Sequence, residues 1–368
     1  MKKSILSFLI IAITVCIFTA GCGNKEDTRA DSISKVPLRS ITDMAGREVE
    51  IPVTVNKAAT IGATACMLTY AGCADKIAGL SDLEIKGEPG MPYAYINSES
   101  FSKLTPIASG GANSKTYEES LATLRPDIIF TNDANIDTVN TLQQKLNIPI
   151  VILAYKGIFS ESVYDSLTLT GDIMGTQERC KKLISAMKGW QKELDSRTKD
   201  IADSIKPTVY AGAVSFSGGH GIEGTYAKYP PFVAINAKNV TDETGKDGSI
   251  LLEKEKLVKW NPDIIFLTPG NMNLVNEDYK TNPGYYNSLK AVKEGNIYSQ
   301  INYNYYGTNI ELAIVDAYYA GTVIYPAAFS DLNFEEKAEE IFSEMLGRPY
   351  LQVLKDSGNN FGKMSVGK

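Results

Sequence analysis

Histidine is nearly absent: 368 residues contain one, His220. A metal site of the usual multi-histidine kind is therefore excluded, as is catalysis by clustered imidazoles. No Gly-x-Ser-x-Gly elbow occurs and no nucleophile stands beside His220, which argues against an exported hydrolase. Cysteine is also sparse. Cys16 and Cys22 lie near the N-terminus, and Cys66, Cys73 and Cys180 form an odd set without a close-spaced pair. That argues against a disulfide framework or a zinc ribbon and predicts buried free thiols. Between residues 50 and 340 the only arginines are Arg125, Arg179 and Arg197. Lys and Arg total 37 against 43 acids, and no basic cluster offers a nucleic-acid footprint.

The N-terminus supplies the compartment. Lys2 and Lys3 precede the apolar run "ILSFLIIAITVCIFTAG", which gives way at Cys22 to polar "GNKEDTRADS". A charged start, a short apolar core and small residues at the cut predict a secretory signal over 1–21. "Thr19-Ala20-Gly21-Cys22" resembles a bacterial lipobox, with Thr19 departing from the commoner Leu or Val. The expectation is a protein outside the cytoplasmic membrane, tethered by lipid on Cys22 and otherwise not membrane-bound. Without its two signal lysines the net charge is −8.

One phrase recurs. "LRPDIIFTN" from Leu124 and "WNPDIIFLT" from Trp260 each follow a short helical pattern and precede a polar turn and another helix. Pro126 and Pro262 are expected to end the preceding helices by holding the residue before them extended. The apolar runs suit strands buried on both faces of a parallel sheet. Other apolar runs alternate with helical patterns, which predicts an α/β protein of two Rossmann-like lobes. Between them, residues 161–203 carry helical spacing without proline, read as one long linking helix of roughly 60 Å. The expected layout is a linker over 22–40, an N-terminal lobe over 41–160, and a C-terminal lobe with its helices over 204–368.

The opening "ITDMAGREVEIP", with Thr42, Asp43, Gly46, Arg47, Val49 and Pro52, resembles that of substrate-binding proteins for ABC importers of metal chelates. The order of the two Pro-Asp phrases around a long helix resembles the same family, over about residues 40–330. The resemblance implies two lobes bridged by a rigid helix, a ligand cleft between them with modest closure, and partners in an ABC permease and ATPase. It also implies an acidic residue on each lobe that docks to permease arginines. By position after the repeated strands these are Asp137 and Glu277. A monomer without a resident cofactor is expected.

"SFSGGHGIEGTYAKYPPF", residues 215–232, matches the Gly-x-Gly-x-x-Gly nucleotide fingerprint from Gly219 to Gly224. That fingerprint needs its last glycines to open a helix, and Pro230-Pro231 is expected to forbid one. His220, Glu223, Tyr226 and Tyr229 are competent metal ligands, and one axial His on haem iron needs no second histidine. Alternatively the loop leaves the C-terminal end of a strand, where open α/β sheets bind ligands, and His220 with Tyr226, Tyr229 and Phe232 forms a cleft wall. Fourteen of twenty tyrosines follow residue 205, among them Tyr303, Tyr305 and Tyr306 in "INYNYYGTN". Tyrosine joins an apolar face to a hydroxyl and suits a large, partly polar chelate. In the first lobe, Thr64, Tyr93, Tyr95, Gly111, Asn113 and Tyr155 are expected on the opposite wall. The scarcity of arginine disfavours a strongly anionic ligand. The expected cargo is an iron chelate of siderophore type, with haem, a corrinoid, or molybdate or tungstate held by backbone amides as alternatives.

Overall fold

The computed structural model describes residues 37–111 and 113–367. The expected signal segment and the lipidation at Cys22 lie outside these residues. Strands β1 (Leu38–Thr42) and β2 (Glu48–Pro52) form an antiparallel hairpin, so residues 38–40, expected as linker, are strand. The phrase that carries the family resemblance acts here as a staple. Asp43 accepts the backbone N–H groups of Ala45, Arg47 and Ile152, while Arg47 pairs with Asp43 at 2.7 Å and donates to the carbonyl of Ile150 at 2.6 Å. The hairpin is thereby tied to a strand a hundred residues away.

That strand belongs to a five-stranded parallel sheet made of β3 (Ala58–Ile61), β4 (Ile77–Ser81), β5 (Thr105–Ala108), β6 (Ile128–Thr131) and β7 (Ile150–Ile152). The strands lie in the order β5-β4-β3-β6-β7. A second parallel sheet holds β8 (Thr208–Gly212), β10 (Lys238–Asn239), β12 (Ile264–Leu267) and β13 (Ile297–Ser299) in the order β10-β8-β12-β13. A separate antiparallel pair, β9 (Gly224–Ala227) and β11 (Gly248–Leu251), flanks it. All four residues of β6 and of β12 are buried, as the unbroken Ile-Ile-Phe runs require of interior parallel strands.

The Pro-Asp phrases do more than stop helices. Helices Glu118–Leu124 and Lys254–Trp260 end through left-handed residues, Arg125 and Asn261, at φ 47° and 45°, rather than through the extended geometry expected before proline. The following aspartates then do equivalent work in the two lobes. Asp127 accepts the N–H groups of Asn56 and Lys57 at 2.8 and 2.9 Å, just before β3. Asp263 accepts the N–H and the hydroxyl of Thr208, both at 2.8 Å, where β8 begins. Each carboxylate joins the start of its lobe's first sheet strand to the strand beside it.

Residues 161–203 are not one helix. Glu161–Met174 ends at Gly175, at φ 74°, and Gln177–Thr198 starts after it. The two pack antiparallel, with Lys188 beside Glu161 and Tyr164. Gly175 supplies the left-handed C-cap that glycine adopts without strain, so the first helix folds back onto the N-terminal lobe. The single long helix that joins the lobes is Gln177–Thr198, about 33 Å long. Helix Phe334–Leu346 braces it, with Arg179 to Glu344 at 2.7 Å and Trp190 to Glu340 at 2.9 Å. Beyond that helix the chain returns to cover β13, where Met364 N–H donates to Ile297 and Ser299 N–H donates to Gly362. One apolar core runs from Ile41 through the linking helix to Leu354, so the lobes meet through packed side chains. Cys66, Cys73 and Cys180 are buried free thiols. Among the described residues no helix is long and apolar enough to cross a membrane.

Candidate functional site

In each sheet the strand order reverses beside the first strand, between β3 and its neighbours in one lobe and between β8 and its neighbours in the other. Chains leaving such a switch point diverge and open a crevice at the carboxyl ends of the strands. Both crevices face one cavity of about 1100 Å³. From the first lobe it is lined by Gly62 and Ala63 after β3, Asn132 after β6, and the turn Glu88–Gly90. From the second it is lined by Ser215–Gly219 after β8, Thr268, Gly270 and Asn271 after β12, and Ile301–Asn302 with Asn304–Gly307 after β13.

The lobes touch around this cavity. A Cβ on Gly307 would stand 2.3 Å from that of Ala63, and one on Gly90 would stand 3.0 Å from the Tyr305 ring. The Tyr350 hydroxyl donates to the carbonyl of Pro89 at 2.9 Å. Deeper, the Tyr70 hydroxyl of the first lobe donates to Glu311, at the start of helix Ile310–Ile324. Glu311 is fully buried, as is Glu84, which accepts from Ser81 and Tyr93 at 2.7 and 2.9 Å. Burial pushes both carboxyl groups up to about 7.

Apart from the Glu88 carboxylate, the polar surface of the cavity is made of hydroxyls, carboxamides and backbone. Asn271 is held in place by donating to the carbonyl of Ala213 and the hydroxyl of Ser215, both at 2.8 Å. Burial raises the phenol of Tyr226 and pushes that of Tyr306 up to about 12, so both enter the cleft as neutral hydrogen-bonding groups. Tyr306 is held at φ 51°, a strained conformation for an aromatic residue, and among the described residues its buried hydroxyl has no partner within close hydrogen-bond geometry.

The expected site residues divide. Gly111, Tyr226, Tyr305 and Tyr306 line the cavity. The others expected in its wall do not. Thr64 is buried at the start of helix Ala65–Tyr70, with its hydroxyl donating to Phe130. Tyr155 lies behind the wall, donating to the carbonyl of Ala63 and touching Cys66 at 3.3 Å. Tyr93 is buried on Glu84, and Tyr95 stands edge-on to Tyr350. Tyr229 and Tyr303 are 2% and 3% exposed and stack at 5.6 Å, with Tyr229 also against Phe232. Asn113 is exposed beyond the lining.

His220 is also absent from the lining. Its loop turns back so that the ring stacks on Phe216 at 4.1 Å and Nε2 meets the carbonyl of Phe216 at 2.8 Å. It therefore supports a wall residue, and both the direct-wall and metal-ligand readings give way to that packing role. Among the described residues no group of three or more His, Cys, Asp or Glu is arranged to hold a metal ion. Gly224 opens strand β9, and a short helix, Pro230–Ala234, follows with its prolines in the first turn, where a missing N–H is harmless. The nucleotide fingerprint fails because a strand stands where its helix should be. Asp137 and Glu277 are both exposed, on helices Ile136–Leu146 and Met272–Thr281 that follow β6 and β12. Sequence reasoning missed Glu88, Asn132 and Asn271. The last two were signalled by their place just after the repeated strands.

Comparison with known proteins agrees with this architecture. The molybdate-binding protein MolA of Haemophilus influenzae is 22% identical over 346 residues, 87% of this chain and 94% of the relative. The Fe(3+)-citrate-binding protein YfmC of Bacillus subtilis is 26% identical over 194 residues, 52% of this chain and 58% of the relative. A solved periplasmic solute binding protein from Veillonella parvula superposes with a TM-score of 0.72 at 19% identity, over 88% of this chain and 99% of that one. Residues 85–300, more than half of the sequence, match one family throughout, and the chain belongs to the periplasmic binding protein family.

Proposed function

We propose that the protein works outside the cytoplasmic membrane as the solute-binding component of an ABC importer. It captures an iron chelate of siderophore type and delivers it to the permease. The observation that carries this reading is the cavity of about 1100 Å³ at two facing switch points, lined by neutral donors and aromatic rings. Pockets for drug-sized ligands run to about 1,000 Å³, so the cleft suits a multidentate chelate better than a single tetrahedral anion. The likeness to an iron-citrate-binding relative supports iron as the metal. Asp137 and Glu277 are the proposed permease contacts, one from each lobe, and Cys22 is the proposed lipid anchor.

A second reading is molybdate or tungstate. It is favoured by the alignment to nearly the whole length of a molybdate-binding relative and by glycine-rich backbone at Gly218, Gly219 and Gly270. Calorimetric titration with ferric trihydroxamate, ferric citrate, haem and molybdate separates the readings. Micromolar or tighter binding of a ferric chelate, with none of molybdate, is the expected result. Binding of molybdate alone would replace the chelate reading, and a shifted Soret band from bound haem would replace it with haem.

A further inference from the structure

The inference concerns the charge of the ligand and rests on the chelate reading of the cleft. Among the described residues lining the cavity, Glu88 is the only acidic or basic side chain. No lysine, arginine or histidine faces it there. Among the described residues its carboxylate takes part in no ion pair and no side-chain hydrogen bond. The backbone around it is nonetheless fixed. Gly87 precedes it at φ 62°, its own carbonyl accepts from Met91 at 2.9 Å, and the next carbonyl, Pro89, is held by Tyr350 at 2.9 Å. One residue further on, Gly90 packs on the Tyr305 ring of the opposite lobe. The cavity thus has a carboxylate in one wall and the Tyr305 ring in the other, two groups that each favour an ammonium or other cationic ligand.

A ligand seated in the cavity displaces water from around Glu88. A neutral ligand leaves that charge uncompensated, an anionic one adds repulsion, and a cationic one supplies the missing partner. The rest of the lining, being uncharged, cannot offset the effect. We propose that the cleft selects positively charged chelates and that Glu88 is the residue that reads the charge.

The test uses one ferric trihydroxamate core in three charge states. Ferric desferrioxamine B carries a pendant ammonium and is +1, its N-acetyl derivative is neutral, and its N-succinyl derivative is −1. Dissociation constants are measured by calorimetry for the wild type and Glu88→Gln at low and high salt. The wild type is expected to prefer the +1 complex over the neutral one by about tenfold at low salt, with the −1 complex weakest. Glu88→Gln should make the +1 and neutral complexes bind equally, and high salt should shrink the wild-type preference. Equal wild-type affinities, or a preference that survives Glu88→Gln, overturn the assignment. Binding of none of the three, with molybdate bound instead, overturns the chelate reading itself, a result distinct from a flat response to charge.

Discussion

Replacing Glu311 by glutamine keeps an acceptor for the Tyr70 hydroxyl and removes a carboxyl group that burial pushes up to about 7. The neighbours that share its field are Cys66, Tyr70, Tyr155 and Tyr350, all neutral, and no cation among the described residues offsets its charge. In the unfolded chain a glutamate loses its proton near 4.3–4.5, whereas in the folded protein Glu311 holds it to about 7. The folded state therefore binds the extra proton, and stability is greatest below the unfolded value and falls as pH rises towards the folded one. A separation of some two and a half units corresponds to roughly 3 kcal/mol. Glu84 follows the same logic, so the wild type loses stability from both groups across this window. Urea denaturation at half-unit steps from pH 5 to 8 measures the slope. Glu311→Gln is expected to remove about half of the loss and to be more stable than wild type at pH 8. A His220→Gln background keeps the only imidazole out of the comparison. A slope unchanged by Glu311→Gln would refute the reasoning, since the carboxyl would then titrate alike in both states.

Three further outcomes follow from contacts already described. Gly307→Ala sets a Cβ 2.3 Å from Ala63 at φ 99°, and should weaken ligand binding at least about tenfold while costing about 1–3 kcal/mol in melting experiments. Gly111→Ala meets nothing within 4 Å at φ 83°, so it should show the backbone cost alone and serves as the control. Asp127→Ala and Asp263→Ala each strand hydrogen-bond donors at the start of a sheet strand, and each should cost about 1–3 kcal/mol in urea midpoints. The double variant Asp137→Ala/Glu277→Ala should bind ligand normally and lose most uptake in whole cells; full uptake would remove both residues from the permease contact.

The two lobes were legible because Ile-Ile-Phe runs without polar interruption suit strands covered on both faces, and because the phrase occurs twice. The break at Gly175 was equally readable as a glycine C-cap, but the unbroken helical spacing on either side outweighed it. The tyrosines were harder. An aromatic ring with a hydroxyl serves equally as cleft wall or as core, so composition cannot separate Tyr305, which lines the cavity, from Tyr303, three-hundredths exposed behind it. His220 misled for a related reason: its stacking on Phe216 depends on a turn that spacing does not reveal. Glu88 is one acid in a loop, and it acquires meaning only when a distant tyrosine is folded against Gly90, two positions on.

The segment that covers β13 has a consequence for how the protein is made. Ser299 meets Gly362, a partner 63 positions later, after the intervening helices have been laid down. Until that stretch has emerged, the edge of the second sheet presents unpaired N–H and C=O groups, a template for pairing with other chains. The first sheet has no comparable wait: β7 at its edge is stapled by Asp43 and Arg47, which precede it in the chain. A nascent chain therefore secures the β7 edge of its first sheet early and leaves the β13 edge of its second open, and a chaperone protecting it has most to shield in the interval after β13 is synthesised and before its cover arrives.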